Sequence, residues 1–217
     1  MADDFCKEFT LQQEKYMIED KKTKHRNKPN CMSDAEIMVI LIRFHSGGFR
    51  CFKHYYKEYV CKHLKHLFPR QVSYNHFVEL EKEVLLPVTI FIKKVLLGTC
   101  TGISFVDSTP LRVCRNQRIL IYKTFEGLAE RRKCSMGWFF GFKLHLIIND
   151  KILLRKRALI ETVNDKLKNI AQIEHSRHRS FNNFIANSLS AIAAYCFFEK
   201  KPAIDVNFVN DGQLAIF

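Results

Sequence analysis

Apolar residues recur at helical spacing through the first half of the chain. Ser33 and Glu36 form a capping-box pattern, in which the serine accepts from an early backbone N–H and the glutamate reaches back to the serine N–H. The apolar positions after them share one helix face: Ile37, Ile40, Leu41 and Phe44. This spacing predicts a helix over residues 33–45.

More helices are expected before residue 98. A glycine pair ends the first helix, and a second amphipathic pattern runs until Pro69. Its apolar positions are Phe49, Phe52, Tyr56, Tyr59, Val60, His63, Leu64 and Leu67. Ser73 caps a third helix that ends before Pro87, and a fourth helical piece continues to about residue 97. Residues 33–98 are therefore predicted to form an all-helical domain.

The apolar period changes after Gly98. Three short runs rich in β-branched and aromatic residues predict strands at 102–107, 118–122 and 140–148. The first run ends at Asp107 in a turn over residues 108–110. The basic, glycine-bearing segment 123–137 predicts a loop.

Helical periodicity returns after the third strand. Residues 153–179 place Leu159, Val163, Leu167 and Ile170 on one face, and residues 182–198 form a nearly apolar helix that must pack against the strands. Residues 1–32 are predicted to be a basic arm or linker, and residues 200–217 a tail. The fold class is therefore α+β, with a helical amino-terminal domain followed by an α/β domain over residues 99–199.

The charge of the chain calls for an acidic partner. The 217 residues carry a formal net charge of +13, which leaves nucleic acid and anionic membranes as the obvious classes. The most apolar stretch, 184–198, contains three polar side chains and is short for a membrane span. No signal peptide pattern opens the sequence. We therefore expect a cytoplasmic, nucleic-acid-binding protein without a membrane partner.

Lysines stand between the aromatic positions of the second predicted helix. They are Lys53, Lys57, Lys62 and Lys65. Two interpretations remain open, a face that lies along the phosphates of double-stranded DNA and a face that is merely solvated. The overall charge favours DNA, and we expect Lys53 and Lys57 to contact it.

Geometry argues against a zinc site in the same helix and favours helix packing and phosphate-facing histidines. Five potential ligands occur there: Cys51, His54, Cys61, His63 and His66. On a helix with about 1.5 Å rise per residue, Cys51 and Cys61 lie roughly 15 Å apart. Zinc–ligand bonds of about 2.0 to 2.3 Å cannot span that distance.

Two acids have sequence contexts that suit metal-assisted chemistry. Asp107 ends an apolar run, where a carboxylate is costly unless something compensates it, although an ordinary turn explains it equally well. Glu161 lies four residues after Arg157 and seven before Lys168, so that all three are expected on one helix face. A surface helix with one salt bridge is the alternative.

Taken together, these motifs resemble the DDE transposases of bacterial insertion sequences. The resemblance rests on Asp-Ser-Thr-Pro at 107–110, Gly-Phe-Lys-Leu-His at 141–145, and the Arg-x3-Glu-x6-Lys spacing at 157–168. The family places a tyrosine at position 154, where this chain has leucine. The resemblance implies that Asp107 and Glu161 are the first and third catalytic acids and bind Mg²⁺ or Mn²⁺. It also implies that Arg157, Lys168 and the neighbouring Arg155 contact DNA.

The same resemblance implies a ribonuclease H-like domain from which a segment is missing. In that fold the second catalytic aspartate lies on the fourth strand, in a Gly-Asp-x-Gly-Tyr context. Only Lys151 and Ile152 separate the third strand from the run that opens the glutamate helix. An internal, in-frame deletion is therefore expected, and the catalytic domain is expected to be truncated.

Neither nearby acid is expected to replace the lost one. Asp150 ends the third strand, which in that topology lies two places, roughly 10 Å, from the first. Asp165 lies one turn past Glu161, where the family gives it no role. Without its fourth-strand partner, the first strand is expected to keep an unpaired edge, which predicts marginal folding or self-association.

The implied function is that of a transposase. Such a protein binds the inverted-repeat ends of its element, cuts them and joins them to target DNA. Loss of the second aspartate predicts impaired catalysis in this chain. The alternative is a non-catalytic DNA-end-binding remnant that competes with an intact transposase. A homodimer and a place near the bacterial nucleoid are further expectations.

Overall fold

The computed structural model describes residues 2–16, 30–96, 104–149, 156–174, 178 and 180–199, with the backbone alone at 2, 12–16, 104–106, 147–149 and 156–160. In these ranges, helices precede and follow one small antiparallel sheet. The predicted α+β class is therefore confirmed. The expectations for the basic run before Pro29, for the join at 151–152 and for the tail at 200–217 lie outside the described residues.

A helix lies where the sequence predicted an arm. α1 spans Ala2–Tyr16, and its side chains contact later helices. The Cys6 Sγ lies 3.6 Å from the Met38 Sδ, and the ring centroids of Phe5 and Phe91 are 5.3 Å apart. The polar composition of the segment concealed this short apolar face.

The first predicted helix and its cap are confirmed. α2 spans Asp34–Ser46. The Ser33 Oγ accepts from the Glu36 backbone N–H at 3.3 Å, and the Glu36 carboxylate accepts from the Ser33 N–H at 2.8 Å. The side chains that α2 buries are Ala35, Ile37, Met38, Ile40, Leu41, Phe44 and His45. The apolar face read from the sequence is therefore the face that packs.

The second predicted helix is a continuous segment of three parts. α3 (Phe52–His54) leads into a π-helical stretch (Tyr55–Val60), which leads into α4 (Cys61–His63). The helix is shorter at both ends than its apolar pattern. It buries Tyr55, Tyr56 and Val60 in an aromatic core with Phe44 and Phe77.

Two shorter helices follow. α5 spans Tyr74–Leu80, and Ser73 caps it by accepting from the backbone N–H three residues on, at 3.3 Å. α6 spans Leu85–Phe91 and continues as a π-helical stretch, Ile92–Leu96. Pro87 was expected to stop a helix, but it lies in the first turn of α6. Backbone N–H groups there have no intrahelical partner, so the proline costs no hydrogen bond.

The sheet has three described strands in the order β1-β3-β2, and both neighbouring pairs are antiparallel. β1 spans Ser104–Cys114, β2 spans Glu130–Cys134 and β3 spans Gly137–Asn149. The first and third predicted strands thus exist, and both are longer than expected. Pro110 lies inside β1 opposite Lys143, not in a turn, since proline is tolerated on an edge strand.

Two other predictions about the sheet are wrong. Residues 118–122 do not form a strand; Asn116–Arg118 is a 3₁₀ turn, and Leu120 and Ile121 are 94% and 75% exposed. The segment 123–137, predicted as a loop, contains β2, whose side chains are almost all exposed. With no buried face, β2 has no alternating apolar pattern by which to recognise it.

β3 lies directly beside β1. The register places Asp107 opposite Leu146 and Arg112 opposite Gly141. The expectation that these strands lie two places apart is therefore wrong, because no strand forms between them. Gly141 has φ +155°, and a Cβ there would lie 2.0 Å from the Leu111 carbonyl oxygen. Only glycine permits this close approach of the two strands.

Two helices complete the described chain. α7 spans Lys156–Asp165 and continues as a π-helical stretch, Lys166–Ile170, and α8 spans Phe181–Cys196. The expected packing of α8 on the strands is confirmed by Phe184 and Phe142, whose ring centroids are 5.2 Å apart. None of the helices in the described ranges combines the length and apolar character that a membrane span requires.

The buried side chains form two clusters. One lies among α1 to α6, here called the helical region, and the other lies among the strands, α7 and α8, here called the sheet region. α8 contributes Ala193 to the first cluster and Ala191 to the second. One helix therefore packs against both regions.

Candidate functional site

Asp107 lies in the middle of β1, and its partner comes from α7. The Asn164 Nδ2 donates to the Asp107 Oδ2 at 2.8 Å in a partly buried position. The sequence placed Asp107 at a strand end, whereas β1 continues for seven more residues to Cys114. The hydrogen bond therefore joins β1 to α7 at Asp107.

Glu161 lies on α7, three residues before Asn164, with an exposed side chain. Residues three apart on a helix are neighbours, with about 5 to 6 Å between their Cβ atoms. The contact between Asp107 and Asn164 therefore brings the Glu161 turn of α7 to the same side of the sheet. Arg157 is one further turn back, with only its backbone described, and Arg155 lies outside the described residues.

Lys168 differs from its expected position. It lies in the π-helical stretch after α7, where each turn holds more residues than an α-helical turn. The spacing from Glu161 to Lys168 is therefore not that of two regular α-helical turns. Its Nζ lies 3.5 Å from the Glu174 Oε1, and both side chains are largely buried. Glu174 also accepts from the Arg112 backbone N–H at 3.2 Å, so this ion pair ties the helix end to β1.

Two other acids were considered as replacements for the missing aspartate, Asp165 and Asp150. Asp165 is exposed and accepts a hydrogen bond from Asn169, one turn further along the helix. Asp150 lies outside the described residues. Within the described ranges, no three His, Cys, Asp or Glu side chains group closely enough to hold a metal ion.

Asn164 is the site residue that sequence reasoning missed. Its side chain is neutral and follows a buried valine, so it carries no charge signal. The available clue was its position, three residues after Glu161 on the same helix face. Its Oδ1 is buried and has no hydrogen-bond partner among the described residues. Buried amide oxygens are normally paired, so this one requires an explanation.

A comparison with known families bears on the same segment. Residues 97–151 and 149–181 match a family model described as a transposase DDE domain. Residues 97–181 are thus similar to a transposase DDE domain and are here called the DDE domain. No curated protein and no solved structure matches the chain. The DDE domain contains Asp107, Asn164, Glu161 and Lys168, and its two matched pieces meet at 149–151.

The oxygen donors in the DDE domain suit a hard divalent cation. Mg²⁺ and Mn²⁺ prefer carboxylate and amide oxygens. Asp107 and Glu161 supply carboxylates, and Asn164 has a buried, unpartnered Oδ1 at the end of its amide that does not bond Asp107. These residues fit such an ion, although two carboxylates give less negative charge than three.

Outside the DDE domain, a basic groove lies on the helical region. It is a cavity of about 540 Å³. Its lining residues are Lys53, Tyr56, Lys57, Cys61, Val72, Ser73, Tyr74 and Asn75. The Lys53 Nζ lies 5.9 Å from the centre of the Tyr74 ring. A second hollow, lined by Lys53, Lys57, Cys51, His54 and Glu58, adjoins it.

The charge of this groove is only partly compensated. Glu58, which lines the adjoining hollow, bonds Lys62, one turn further along. This hydrogen bond lowers the pKa of the Glu58 carboxyl, with the nearby charges of His54 and Lys57 adding to the effect. Lys53 and Lys57 have no ion pair with any described carboxylate closer than 4.0 Å. Two predicted DNA-contacting lysines thus line one groove.

A buried histidine joins the helical region to the DDE domain. His45 of α2 is 2% exposed. Its Nδ1 lies 2.5 Å from the Ala171 carbonyl oxygen, and its Nε2 lies 3.1 Å from the Asn187 Oδ1. Burial lowers the pKa of His45 to about 4. The histidine is therefore neutral near pH 7 and connects the end of the Glu161 helix to α2 and α8.

Proposed function

We propose that the chain is a DNA transposase of a bacterial insertion sequence whose strand-cleaving activity is impaired. The observation that carries this proposal is the hydrogen bond from Asn164 to Asp107 inside a matched DDE domain. It links the strand of the first acid to the helix of Glu161. A transposase works on the chromosome, so we place the protein in the bacterial cytoplasm, near the nucleoid.

The chemistry is metal-assisted phosphodiester cleavage. A bound Mg²⁺ or Mn²⁺ would activate the attacking oxygen and steady the leaving oxygen. Asp107 and Glu161 would hold the ion, and Asn164 orients the Asp107 carboxylate. Arg157 and Arg155 would contact the DNA backbone close to the cut. Lys168 would join them only if DNA displaced Glu174 from its ion pair.

Impairment follows from the proposed internal deletion. The two pieces of the family match meet at 149–151, next to the two-residue join at 151–152. A ribonuclease H-like domain carries the second aspartate on a fourth strand, and only Lys151 and Ile152 stand where that segment would lie. Two carboxylates hold a pair of divalent ions poorly. A frame-preserving gap relative to an intact copy of the element would establish the deletion.

We assign DNA binding to residues 33–98, which contain α2 to α6 of the helical region. The support is the groove that Lys53 and Lys57 line, together with the net charge of +13. We propose that it holds the phosphate backbone at the inverted-repeat ends of the element, as a homodimer that pairs two ends. Residues 99–199 form the partial catalytic domain in this proposal.

A second candidate function is a DNA-end-binding remnant that competes with intact transposase. The basic groove favours it, because this groove does not depend on the missing aspartate. Both candidates predict binding to the element ends, and they differ in whether DNA is cut.

The test is end binding and cutting by the full chain. A mobility-shift titration on the terminal repeats should show end-specific binding, and Asp107→Asn should bind equally well. Incubation with Mg²⁺ or Mn²⁺ should give little nicking. Robust Asp107-dependent nicking would refute the impairment, and binding without end preference would refute both candidate functions.

The groove can be tested by removing its charge. The double variant Lys53→Ala, Lys57→Ala should weaken DNA binding. It should also reduce the slope of log K against log salt concentration by about 2, because each phosphate contact contributes about 0.9 to that slope. The matched control is Lys93→Ala with Lys94→Ala, which removes the same charge from exposed positions on the same region. An equal loss in both variants would indicate a general charge effect.

A further inference from the structure

The side-chain amide of Asn164 has one unpartnered end and lies beside Asp107, in the proposed site that lacks its second aspartate. Its Nδ2 donates to the Asp107 Oδ2, and its Oδ1 is buried without a hydrogen-bond partner in the described part of the chain. A half turn about the side chain exchanges the two ends of an amide. Because no described group bonds the other end, nothing there fixes which end faces Asp107. What Asp107 binds will therefore decide the orientation.

The spacing of this pair matches the ligand spacing of a hard cation. After the half turn, Oδ1 occupies the place of Nδ2, 2.8 Å from the Asp107 Oδ2. Neighbouring oxygens around octahedral Mg²⁺ are about 2.8 to 3.0 Å apart when the bonds are about 2.0 to 2.1 Å. The exchange itself rotates only the side chain.

We propose that Asn164 is a cation ligand and supplies, through its Oδ1, the oxygen that the missing aspartate no longer provides. The inference rests on the proposed function, since it concerns the same ion at the same site. Without the ion, Asn164 donates to Asp107; with the ion, its amide turns and both side chains present oxygens. Glu161, one turn earlier on α7, completes the set from its exposed position. A neutral amide in place of a carboxylate gives weaker binding.

The first experiment measures Mn²⁺ binding by the full chain without DNA, from the free Mn²⁺ signal in electron paramagnetic resonance. Asn164→Ala should raise the Kd at least about tenfold, the loss usual when a metal site loses a supporting group. Asn164→Asp keeps the side-chain shape and adds the lost charge, so it should lower the Kd about tenfold. An unchanged Kd in either variant, with the helical content of the parent by circular dichroism, overturns the proposal.

The control is Asn182→Asp, which makes the same substitution at an exposed position in the first turn of α8. Its Kd should stay within about twofold of the parent, because it lies on another helix, outside the contact with Asp107. Tightening equal to that of Asn164→Asp would mean that negative charge alone attracts the ion, and would overturn the proposal. If Asn164→Ala fails to fold, the comparison of the two aspartate variants still decides whether Asn164 is a cation ligand.

A second measurement separates a ligand from a residue that only positions Asp107. In nuclear magnetic resonance spectra, the side-chain amide resonances of Asn164 should shift on adding Mg²⁺, as Nδ2 leaves Asp107. Unchanged resonances at saturating Mg²⁺ would overturn the proposal. Both measurements omit DNA, so failure here leaves the transposase assignment standing, whereas failed end binding with normal Mn²⁺ binding would refute that assignment alone.

Discussion

The helical region and the sheet region differ in how completely their groups are paired. Tyr55, Phe77 and Phe91 of the helical region are at most 1% exposed, and a complete capping box closes α2. In the sheet region, β1 pairs on one side only among the described strands, and the Asn164 Oδ1 is buried without a partner. The helical region is stabilised by contacts among its own side chains. The sheet region leaves groups that an ion, DNA or another strand would satisfy.

The largest difference between the two regions should appear in the free energy of unfolding when one phenylalanine ring is removed from each. Phe77→Ala should lower the free energy of unfolding by about 3 to 5 kcal/mol, because the ring is fully buried. Phe142→Ala in β3 should cost about 1 to 2 kcal/mol, since this ring is only half-buried. Urea unfolding followed by circular dichroism measures both losses. Leu67→Ala, at a side chain 58% exposed, is the control. Equal losses in the two regions would contradict the comparison.

Acid should weaken the contact between the two regions through His45. Burial lowers the pKa of its ring to about 4, whereas the unfolded chain has a pKa of about 6.5. Between these values the unfolded state binds more protons, so stability falls as the pH drops from about 6.5 to 4, by on the order of 3 kcal/mol. Burial also lowers the pKa of His178 to about 4, helped by His45, which adds to the same slope.

The measurement is urea unfolding at several pH values for the parent and for His45→Gln. Glutamine can still hydrogen-bond but does not titrate, so the variant should lose part of the acid slope. His76→Gln removes an exposed histidine paired with Glu79, and should leave the slope unchanged. If both variants behave alike, His45 does not carry the effect.

Glu81 should give the opposite pH dependence within the helical region. Burial raises the pKa of its carboxyl to about 8, partly opposed by a hydrogen bond from Asn183. The folded state therefore holds a proton that the unfolded chain releases near pH 4.5, and stability falls as the pH rises from about 4.5 to 8. Glu81→Gln imitates the protonated form, and should stabilise the protein by on the order of 3 kcal/mol at pH 7. Thermal unfolding at pH 5 and pH 7 tests this.

The matched control for Glu81 is Glu79→Gln, at an exposed side chain on the same helix. It should leave the melting temperature within about 1 °C at both pH values, as surface changes usually do. A gain from Glu81→Gln that is the same at pH 5 as at pH 7 would show that protonation is not the cause.

The sequence predicted the helical region better than the sheet region, and the reason is the range of the interactions. The capping box of Ser33 and Glu36 and the apolar face of α2 are local patterns, and both were confirmed. β2 was missed because its side chains are exposed, and the β1–β3 pairing was wrong because register is a long-range property. In the site, Asp107 and Glu161 stood out by charge, whereas neutral Asn164 had no such signal. Its role depends on a strand 57 residues away in sequence.

The smallest predicted effect tests whether the capping box of α2 contributes to the free energy of unfolding. Ser33→Ala removes the Oγ that accepts from the Glu36 N–H at 3.3 Å, and should cost about 1 kcal/mol in urea unfolding. Ser46→Ala is the control, since its Oγ only donates to the Arg43 carbonyl at the far end of α2. A loss near 1 kcal/mol that leaves Mn²⁺ binding unchanged would separate the two regions, because the cap acts only on α2. A change in Mn²⁺ affinity would instead show that His45, on the same helix, transmits α2 stability to the Glu161 helix.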